Sequence, residues 1–359
     1  MSSSIGRHIN MTIFGESHGP AIGVVLTGLP AGEPVDTEAI AAQMARRAPG
    51  GDLATPRRET DAFTLLSGVL DGKTTGAPLC ATIENHDTRS GDYAALARLP
   101  RPSHADYPAS VRYGGHNDVR GGGHFSGRLT APLVLAGAIC RQILARRGVT
   151  IGAHLCQIGA AADRLFDPCE LSPELLNLLS NGVFSVLDEE AGERMKAQIR
   201  DAQAAGDSIG GRIEAAAVGL PVGLGDPMFG GVESVLSALL YGVPAVKAVA
   251  FGSGFDFAMG RGSEMNDPYL IKDGRIATST NHNGGVLGGL ATGMPLLVQV
   301  AVKPTPSIAQ RQQTVDLTSN TPAELCISGR HDPCIAPRAV PVVEGALAVG
   351  LLDLMMGKR

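Results

Sequence analysis

Residues 12–28 read TIFGESHGPAIGVVLTG, and this stretch decides which folds the chain can adopt. A short apolar run ends at Gly15, and a carboxylate, a hydroxyl and an imidazole follow at Glu16, Ser17 and His18. The pattern G-x-S-x-G also marks the nucleophile elbow of α/β hydrolases, where several strands of the sheet come first. Here only about 14 residues precede the motif, which leaves no room for that sheet. The position therefore argues against a hydrolase, and the alternative from this motif alone is a polar turn.

The composition is that of a globular protein with a large core. Of the 359 residues, 44% are apolar and 18% are charged. The net charge of −5 gives no general basic field, so we expect neither a nucleic-acid partner nor an anionic membrane. Six cysteines without metal-site spacing, and a start without a signal-peptide pattern, predict reduced thiols, no metal and a cytoplasmic location. The longest apolar runs, such as TAPLVLAGAIC, look too short to cross a membrane.

Hydrophobic periodicity predicts strands in runs rather than a strict alternation with helices. The predicted strands cover 21–28, 62–70, 77–83, 211–219, 246–251 and 296–302. The predicted helices begin after an N-cap at Asp36 and cover 129–147, 189–205 and 340–356 further along. Residues 84–125 show little periodicity and predict a long functional loop. This pattern favours one α+β domain over residues 1–359.

Two polar clusters lie in that loop. In RPSHADY, His104 is a candidate for proton transfer, although a single loop histidine is commonly just solvated. In VRGGGHFSGRLTAP, Gly121–Gly123 would let backbone N–H groups approach a ligand, and Ser126 and Arg128 then enter a helix. Such an arrangement suits a phosphate or carboxylate, and the alternative is a plain glycine turn.

A third cluster combines NHNGGVLGGLATG with VKPTPS. Gly288 and Gly289 could face a flat ring, while Lys303, Thr305 and Ser307 offer a cation and two hydroxyls. The alternative is a tight hairpin. No G-x-G-x-x-G follows a strand and no Walker pattern is present, so the sequence does not predict a standard dinucleotide-binding fold.

The fourth cluster is SGRHDPC, just before the last predicted helix. It places Arg330, His331 and Asp332 in a row beside proline and apolar residues, which predicts partial burial rather than simple surface charge.

Taken together, these motifs resemble the chorismate synthase family. FGESHG, RRAPG, RPSHADY, RGGG with SGR, GVPAVK with GSGF, NHNGGVLGG, KPTPS, and GRHDPC with RAVPVVEG follow in the family's order over about residues 5–355. The resemblance implies an α+β β-α-β sandwich, with antiparallel sheets in the core and helices outside, and a homotetramer. It implies a lyase that eliminates phosphate from 5-enolpyruvylshikimate 3-phosphate in a 1,4-anti sense to give chorismate, the seventh step of the shikimate pathway. The family uses reduced FMN without net redox change.

The resemblance also implies catalytic roles. His18 would protonate the departing phosphate and His104 the reduced flavin, because imidazoles with a pKa near ~6.5 can act as acids at neutral pH. Asp332 would assist loss of the substrate's C6 proton together with flavin N5, and Ser17 would orient Asp332 or its proton. The substrate carries two carboxylates and a phosphate and therefore needs arginines. The candidates are Arg46, Arg47, Arg128, Arg330 and Arg338.

By the same resemblance, the flavin contacts are His124, Phe125, Ser126, Pro244, Ala245, Gly288, Lys303, Pro304, Thr305, Pro306, Ser307 and Arg330. The commoner family pattern Arg-Ser-Ser-Ala-Arg is replaced by HFSGR at 124–128. Arg47 matches a residue that contacts the nicotinamide of NADPH, whereas a second such arginine is replaced by Leu53. Reduced flavin could come from the chain itself or from an external flavin reductase. A flavin- or phosphosugar-binding protein without catalysis is the alternative function, and the presence of His18, His104 and Asp332 together argues against it.

Overall fold

The computed structural model describes residues 3–48, 53, 61–85, 97–327 and 331–357, and most of its strands belong to two antiparallel sheets. The strands are β1 (Ser4–Ile5), β2 (Asn10–Gly15), β3 (Ala21–Thr27), β4 (Phe63–Ser67), β5 (Val69–Leu70), β6 (Lys73–Thr74), β7 (Leu79–Glu84), β8 (Thr150–Ile158), β9 (Ala161–Ala162), β10 (Gly211–Val218), β11 (Val246–Phe251), β12 (Tyr269–Lys272), β13 (Arg275–Thr278), β14 (Val286–Leu287), β15 (Leu290–Ala291), β16 (Leu296–Val302), β17 (Gln312–Asp316) and β18 (Thr321–Leu325). The first sheet has the order β1-β2-β3-β7-β4 and the second β11-β16-β10-β8-β9.

Two long helices lie between these sheets. The helices are α1 (Thr37–Arg47), α2 (Asp106–Arg112), α3 (Thr130–Arg146), α4 (Pro173–Leu179), α5 (Glu189–Ala204), α6 (Val232–Gly242), α7 (Gly262–Met265) and α8 (Ala336–Gly357). Helix α3 contacts β2, β3 and β7 of the first sheet and β8 of the second, and α8 contacts β8 and β10. A Cβ at Gly137 of α3 would collide with the backbone of Gly345 in α8, so the two helices cross at a very close approach.

The α+β class and the antiparallel sheets are confirmed, but the expectation that the helices lie outside the sheets is wrong for α3 and α8. Both helices are apolar on nearly all faces, which is the composition of a helix that is buried all round. The expectation that no apolar run reaches membrane-spanning length is also wrong. Gly127–Arg146 and Ala336–Gly357 are long and apolar enough by length and composition, yet most of each is buried inside the fold. They are the central layer of the sandwich.

Most predicted elements are present with small shifts. Asp36 caps α1, since its carboxylate accepts hydrogen bonds from the backbone N–H groups of Glu38 (2.9 Å) and Ala39 (3.0 Å). Helix α8 begins at Ala336, ahead of the predicted 340. The predicted loop 84–125 contains α2 in its described part. Strand β8 was missed because its residues are buried on both faces, so the sequence shows no alternation.

The hairpin of β2 and β3 positions the first motif. Gly15 pairs with Ile22 at the last register position, so the turn at 16–20 lies at the end of the first sheet. The backbone N–H of Ser17 donates to the carbonyl of Gly123 (3.1 Å), which joins this turn to the glycine segment before α3.

Candidate active site

A cavity of about 820 Å³ opens beside the N-terminus of α3. Its volume is within the range of about 300–1,000 Å³ that is usual for cofactor and ligand sites. The predicted site residues that line it are Ser17, Arg47, His104, His124, Phe125, Ser126, Arg128, Pro244, Ala245, Lys303, Thr305, Pro306, Ser307, Asp332 and Arg338. Residues far apart in the sequence therefore converge on one space.

The glycine segment lies between the two predicted catalytic histidines. Gly121 and Gly122 have φ values of 59° and 85°, in the left-handed region that favours glycine. A Cβ at Gly121 would collide with the His18 ring, and a Cβ at Gly122 would lie 3.2 Å from Cε1 and Nε2 of His104. His18 itself does not line the cavity. It is buried behind Gly121, next to Ser17, which does.

His104 is held by a buried ion pair. Its Nδ1 lies 2.5 Å from Oδ1 of Asp106, and the guanidinium of Arg101 binds both carboxylate oxygens, through Nε (2.7 Å) and Nη2 (2.8 Å). Burial alone would raise the pKa of Asp106, but the hydrogen bonds from Arg101 and His104 outweigh it and hold that pKa well below its ordinary value. Asp106 is therefore ionised and can only accept hydrogen bonds.

The turn that carries Ser17 is not a nucleophile elbow. An elbow joins a strand to a helix. Here β2 leads through the turn directly into the antiparallel strand β3. Asn85 closes the turn by donating from Nδ2 to the carbonyls of Glu16 (3.0 Å) and Gly19 (2.9 Å). The structure thus agrees with the sequence argument against a hydrolase.

The chain's departure from the commoner family pattern has a visible local role at His124. Its Nδ1 lies 2.8 Å from the carbonyl of Gly15, and its Nε2 lies 2.6 Å from Oγ of Ser3. The imidazole thus joins the N-terminal segment to the end of β2. Phe125 presents its ring to the cavity and contacts Tyr113 at a centroid distance of 6.2 Å, so this position offers an apolar surface rather than a polar one.

A buried carboxylate joins two of the cavity's arginines. Asp61 accepts from Nε (2.9 Å) and Nη2 (2.6 Å) of Arg47 and, through its other oxygen, from Arg128. Burial, together with the neighbouring Arg338 and Arg128, lowers the pKa of Arg47 to about 10 although Asp61 opposes that shift. Arg47 remains a cation at neutral pH, and its charge is compensated by a carboxylate that it shares with Arg128.

A third arginine lies next to the predicted proton acceptor. Arg338 donates from Nη1 to Asp332 and from Nε to the backbone carbonyl of Arg47 (2.8 Å). Both Asp332 and Arg338 line the cavity. Arg338 therefore connects the Asp332 carboxylate to the backbone at Arg47.

The segment 303–307 forms a further part of the cavity wall. Lys303 donates from Nζ to the carbonyl of Ser103 (2.7 Å), and burial together with the nearby Lys247 lowers the pKa of the Lys303 ammonium. Oγ1 of Thr305 is buried, and within the described part of the chain it has no hydrogen-bond partner. A buried hydroxyl in that state is normally satisfied by a ligand or solvent, so Thr305 fits a contact with a bound molecule.

Besides His18, three described residues of the predicted site do not line the cavity. Arg46 lies away from the cavity, and its buried guanidinium donates to Glu344 (2.5 Å) and to the carbonyl of Gly182 (2.9 Å). The Glu344 carboxylate compensates its charge inside the core. The position of Arg46 away from the cavity does not agree with the predicted role in substrate binding. Gly288 lies in the turn between β14 and β15 and is not part of the cavity lining, and neither is Pro304. Arg330 lies outside the described residues.

Sequence reasoning also missed three members of the site. Arg101 and Asp106 hold His104, and Asp61 holds two arginines. The first two flank His104 inside the RPSHADY motif, so their charges were the available signal. Asp61 lies in no motif that was singled out, and only the fold shows its partners.

Comparisons with known proteins point to one family. A family model described as chorismate synthase matches residues 9–356. A chorismate synthase of Thermococcus gammatolerans is 45% identical over 354 residues, covering 99% of this chain and 98% of that protein. One of Aeropyrum pernix is 47% identical over 353 residues, covering 98% and 92%. A crystal structure of chorismate synthase matches with a TM-score of 0.76 at 27% identity, covering 98% of this chain and 92% of that one.

Proposed function

The chain belongs to the chorismate synthase family, and we propose that it converts 5-enolpyruvylshikimate 3-phosphate to chorismate by 1,4-anti elimination of phosphate. It would act as a cytoplasmic lyase in the shikimate pathway of aromatic biosynthesis. One observation carries the proposal. Arginine side chains from three separate parts of the chain face one cavity, and a glycine segment beside it contacts both candidate acids.

The cations account for binding of the substrate. Two carboxylates and a phosphate need several positive groups, and Arg47, Arg128 and Arg338 supply them from adjacent positions. Asp61 and Asp332 offset part of this charge and fix the guanidinium groups in place. The result is a local positive site in a chain whose net charge is negative.

The wall formed by 303–307 and the segment before α3 fits a flavin. Reduced FMN, when bound, would supply an electron to the reaction and recover it. The Thr305 hydroxyl, the Lys303 ammonium and Ser126 at the start of the α3 segment offer polar contacts, and Phe125 offers an apolar one. Ala245 has a φ of 74°, rare for a residue with a side chain, and its carbonyl accepts from the Lys303 backbone N–H (2.9 Å). This hydrogen bond holds the two predicted flavin-contacting segments together.

Proton transfer falls to four residues. His18 would protonate the departing phosphate, and His104 would hold a proton at Nε2 for the flavin. Asp332 would accept the substrate proton, with Ser17 as the orienting hydroxyl. Arg338 donates a hydrogen bond to the Asp332 carboxylate and holds it in place at the cavity.

The decisive experiment is an anaerobic assay with photoreduced FMN and the enolpyruvyl substrate. We expect chorismate to form, and oxidised FMN to bind more tightly when substrate is present. His18→Ala and His104→Ala should each lower turnover by about 10²–10⁴, the usual effect of losing a general acid. Flavin binding without turnover would instead favour the alternative of a flavin-binding protein, and no spectral change on adding FMN would contradict the flavin assignment.

The source of reduced flavin can be tested separately. We propose that NADPH is a weaker ligand than FMN, because Asp61 already binds the Arg47 guanidinium and the second arginine of the family pattern is Leu53 here. Chorismate formation under anaerobic conditions with NADPH and FMN but without light would show that the chain reduces its own flavin. Turnover only after adding a flavin reductase would assign that step to an external partner.

A homotetramer is the proposed assembly. Phe229, Phe255 and Met259 are 82%, 85% and 81% exposed, and the β12–β13 hairpin adds Ile271 and Ile276 on its surface. Exposed apolar side chains of this size can mark contacts between subunits. Light scattering should give four chains per particle, and Ile271→Asp should lower that number.

A further inference from the structure

His104 contacts one carboxylate, and that carboxylate is shared. Asp106 receives the His104 Nδ1 at 2.5 Å on Oδ1, and the same oxygen accepts from Nη2 of Arg101 at 2.8 Å. The Arg101 backbone N–H and Nε also bind Oδ2, at 3.0 and 2.7 Å. Both oxygens of the Asp106 carboxylate are therefore held by Arg101. The imidazole of His104 shares Oδ1 with that guanidinium.

This arrangement distinguishes the two ring nitrogens. His104 Nδ1 lies 2.5 Å from Asp106 Oδ1 and 3.0 Å from Nη2 of Arg101, a group that can only donate. Because Nη2 already donates to Asp106 Oδ1 at 2.8 Å and the contact of Nδ1 with that oxygen is the shorter one, we assign the Nδ1 proton to the hydrogen bond with Asp106. The Nε2 side faces Gly122, next to the cavity. Any proton that His104 gives or takes is therefore exchanged at Nε2.

The surroundings rigidify this geometry. Arg101 and Ser103 belong to a tight turn in which the His104 N–H donates to the Arg101 carbonyl (3.2 Å), and Ser103 has a φ of 60°. Arg101 Nη1 reaches Oγ of Ser307 (3.3 Å), and Lys303 Nζ binds the Ser103 carbonyl. The charged groups around His104 in these contacts are Asp106 and Arg101 on its own segment, and Lys303, which binds the carbonyl of the neighbouring Ser103.

We propose that Arg101 and Asp106 are a positioning pair that commits His104 to proton exchange at Nε2 and sets how readily the ring releases that proton. The role of His104 as an acid rests on the proposed function, whereas its orientation does not. The Asp106 carboxylate accepts from the imidazole, and Arg101 compensates the charge of that carboxylate. Loss of either partner should thus change the affinity of His104 for its proton, in opposite directions.

The test is a ¹⁵N NMR titration of histidine-labelled full-length protein, with His104→Gln identifying the signal. We expect the neutral ring of the parent to carry its proton on Nδ1. Asp106→Asn should weaken proton binding by about tenfold and mix the two tautomers, while Arg101→Met should strengthen it by a similar factor. Asp118→Asn is the matched control, because Asp118 forms the same bidentate pair with Arg120 without touching His104.

Two outcomes would overturn the proposal. One is a His104 titration and tautomer unchanged in Asp106→Asn, and the other is a shift in the same direction in both variants, which would indicate general loosening. If Asp106→Asn fails to fold, Asp106→Glu keeps the charge and should retain the Nδ1 tautomer. Turnover measured in parallel separates the hypotheses: an inactive parent with the expected titration contradicts the proposed function alone. In an active parent, Asp106→Asn should lower kcat with little change in KM.

Discussion

His18 and His104 lie against consecutive glycines of one segment, although they are far apart in the sequence. Gly121 accommodates the His18 ring and Gly122 the edge of His104. The two candidate acids are therefore placed by a single backbone segment that favours glycine, since both positions have positive φ and a Cβ there would meet a histidine ring.

A methyl group at Gly121 should disable the site without unfolding the protein. Gly121→Ala would collide with His18, and we expect turnover to fall by about 10²–10⁴, as for loss of a general acid. Gly115→Ala is the matched control, because Gly115 also has a positive φ (79°) but faces open space. Both variants should lose about 1–2 kcal/mol of stability from backbone strain. Equal turnover in the two variants would show that the position of His18 does not matter.

Arg46 and Arg47 are neighbours in α1 with different partners, and the matched variants Arg46→Lys and Arg47→Lys should separate their roles. Each lysine keeps the charge but loses the bidentate fork, at a cost of about 1.5–3 kcal/mol in unfolding free energy. Only Arg47→Lys should raise the KM of the substrate, by about tenfold, because only Arg47 lines the cavity. A raised KM in Arg46→Lys would return Arg46 to the binding site.

Asp61 should restrain anion binding as well as organise it. Asp61→Asn would leave two buried arginines undercompensated, and we expect the ligand-free protein to lose about 3–5 kcal/mol. A bound phosphate or carboxylate would then supply the missing charge. The increase in melting temperature on adding substrate should therefore be larger in Asp61→Asn than in the parent. An equal or smaller increase would mean that Asp61 acts mainly by orienting the arginines.

The sequence predicts the motifs of the site better than the partners of each side chain. FGESHG, RPSHADY and KPTPS indicated which segments would meet, because special glycines and polar residues interrupt the apolar pattern there. Helical spacing places Arg46 and Arg47 on different faces of α1 but does not show which face meets a ligand. The layer order was mispredicted for a related reason, since uniformly apolar helices such as α3 and α8 carry no periodicity that shows where they lie.

A buried charge cluster outside the cavity should make stability depend on pH. His154 is fully buried in β8, with Nε2 2.9 Å from Glu214 and Nδ1 3.7 Å from Asp163. Burial would lower the pKa of His154, but the hydrogen bonds and charges of Asp163 and Glu214 outweigh it and raise that pKa above its ordinary value.

A raised pKa in the folded state means that the folded protein holds this proton more tightly than the unfolded chain does. The stabilisation is complete below the unfolded value of about 6.5 and is lost as the pH rises through the folded value. We therefore expect His154→Gln to cost about 3–5 kcal/mol near pH 6 and less near pH 9, measured by urea unfolding. His282→Gln is the matched control, since His282 pairs with Asp267 (3.1 Å) but is partly exposed. A cost for His154→Gln that is constant over this range, or that grows with pH, would show that His154 is neutral in the folded protein.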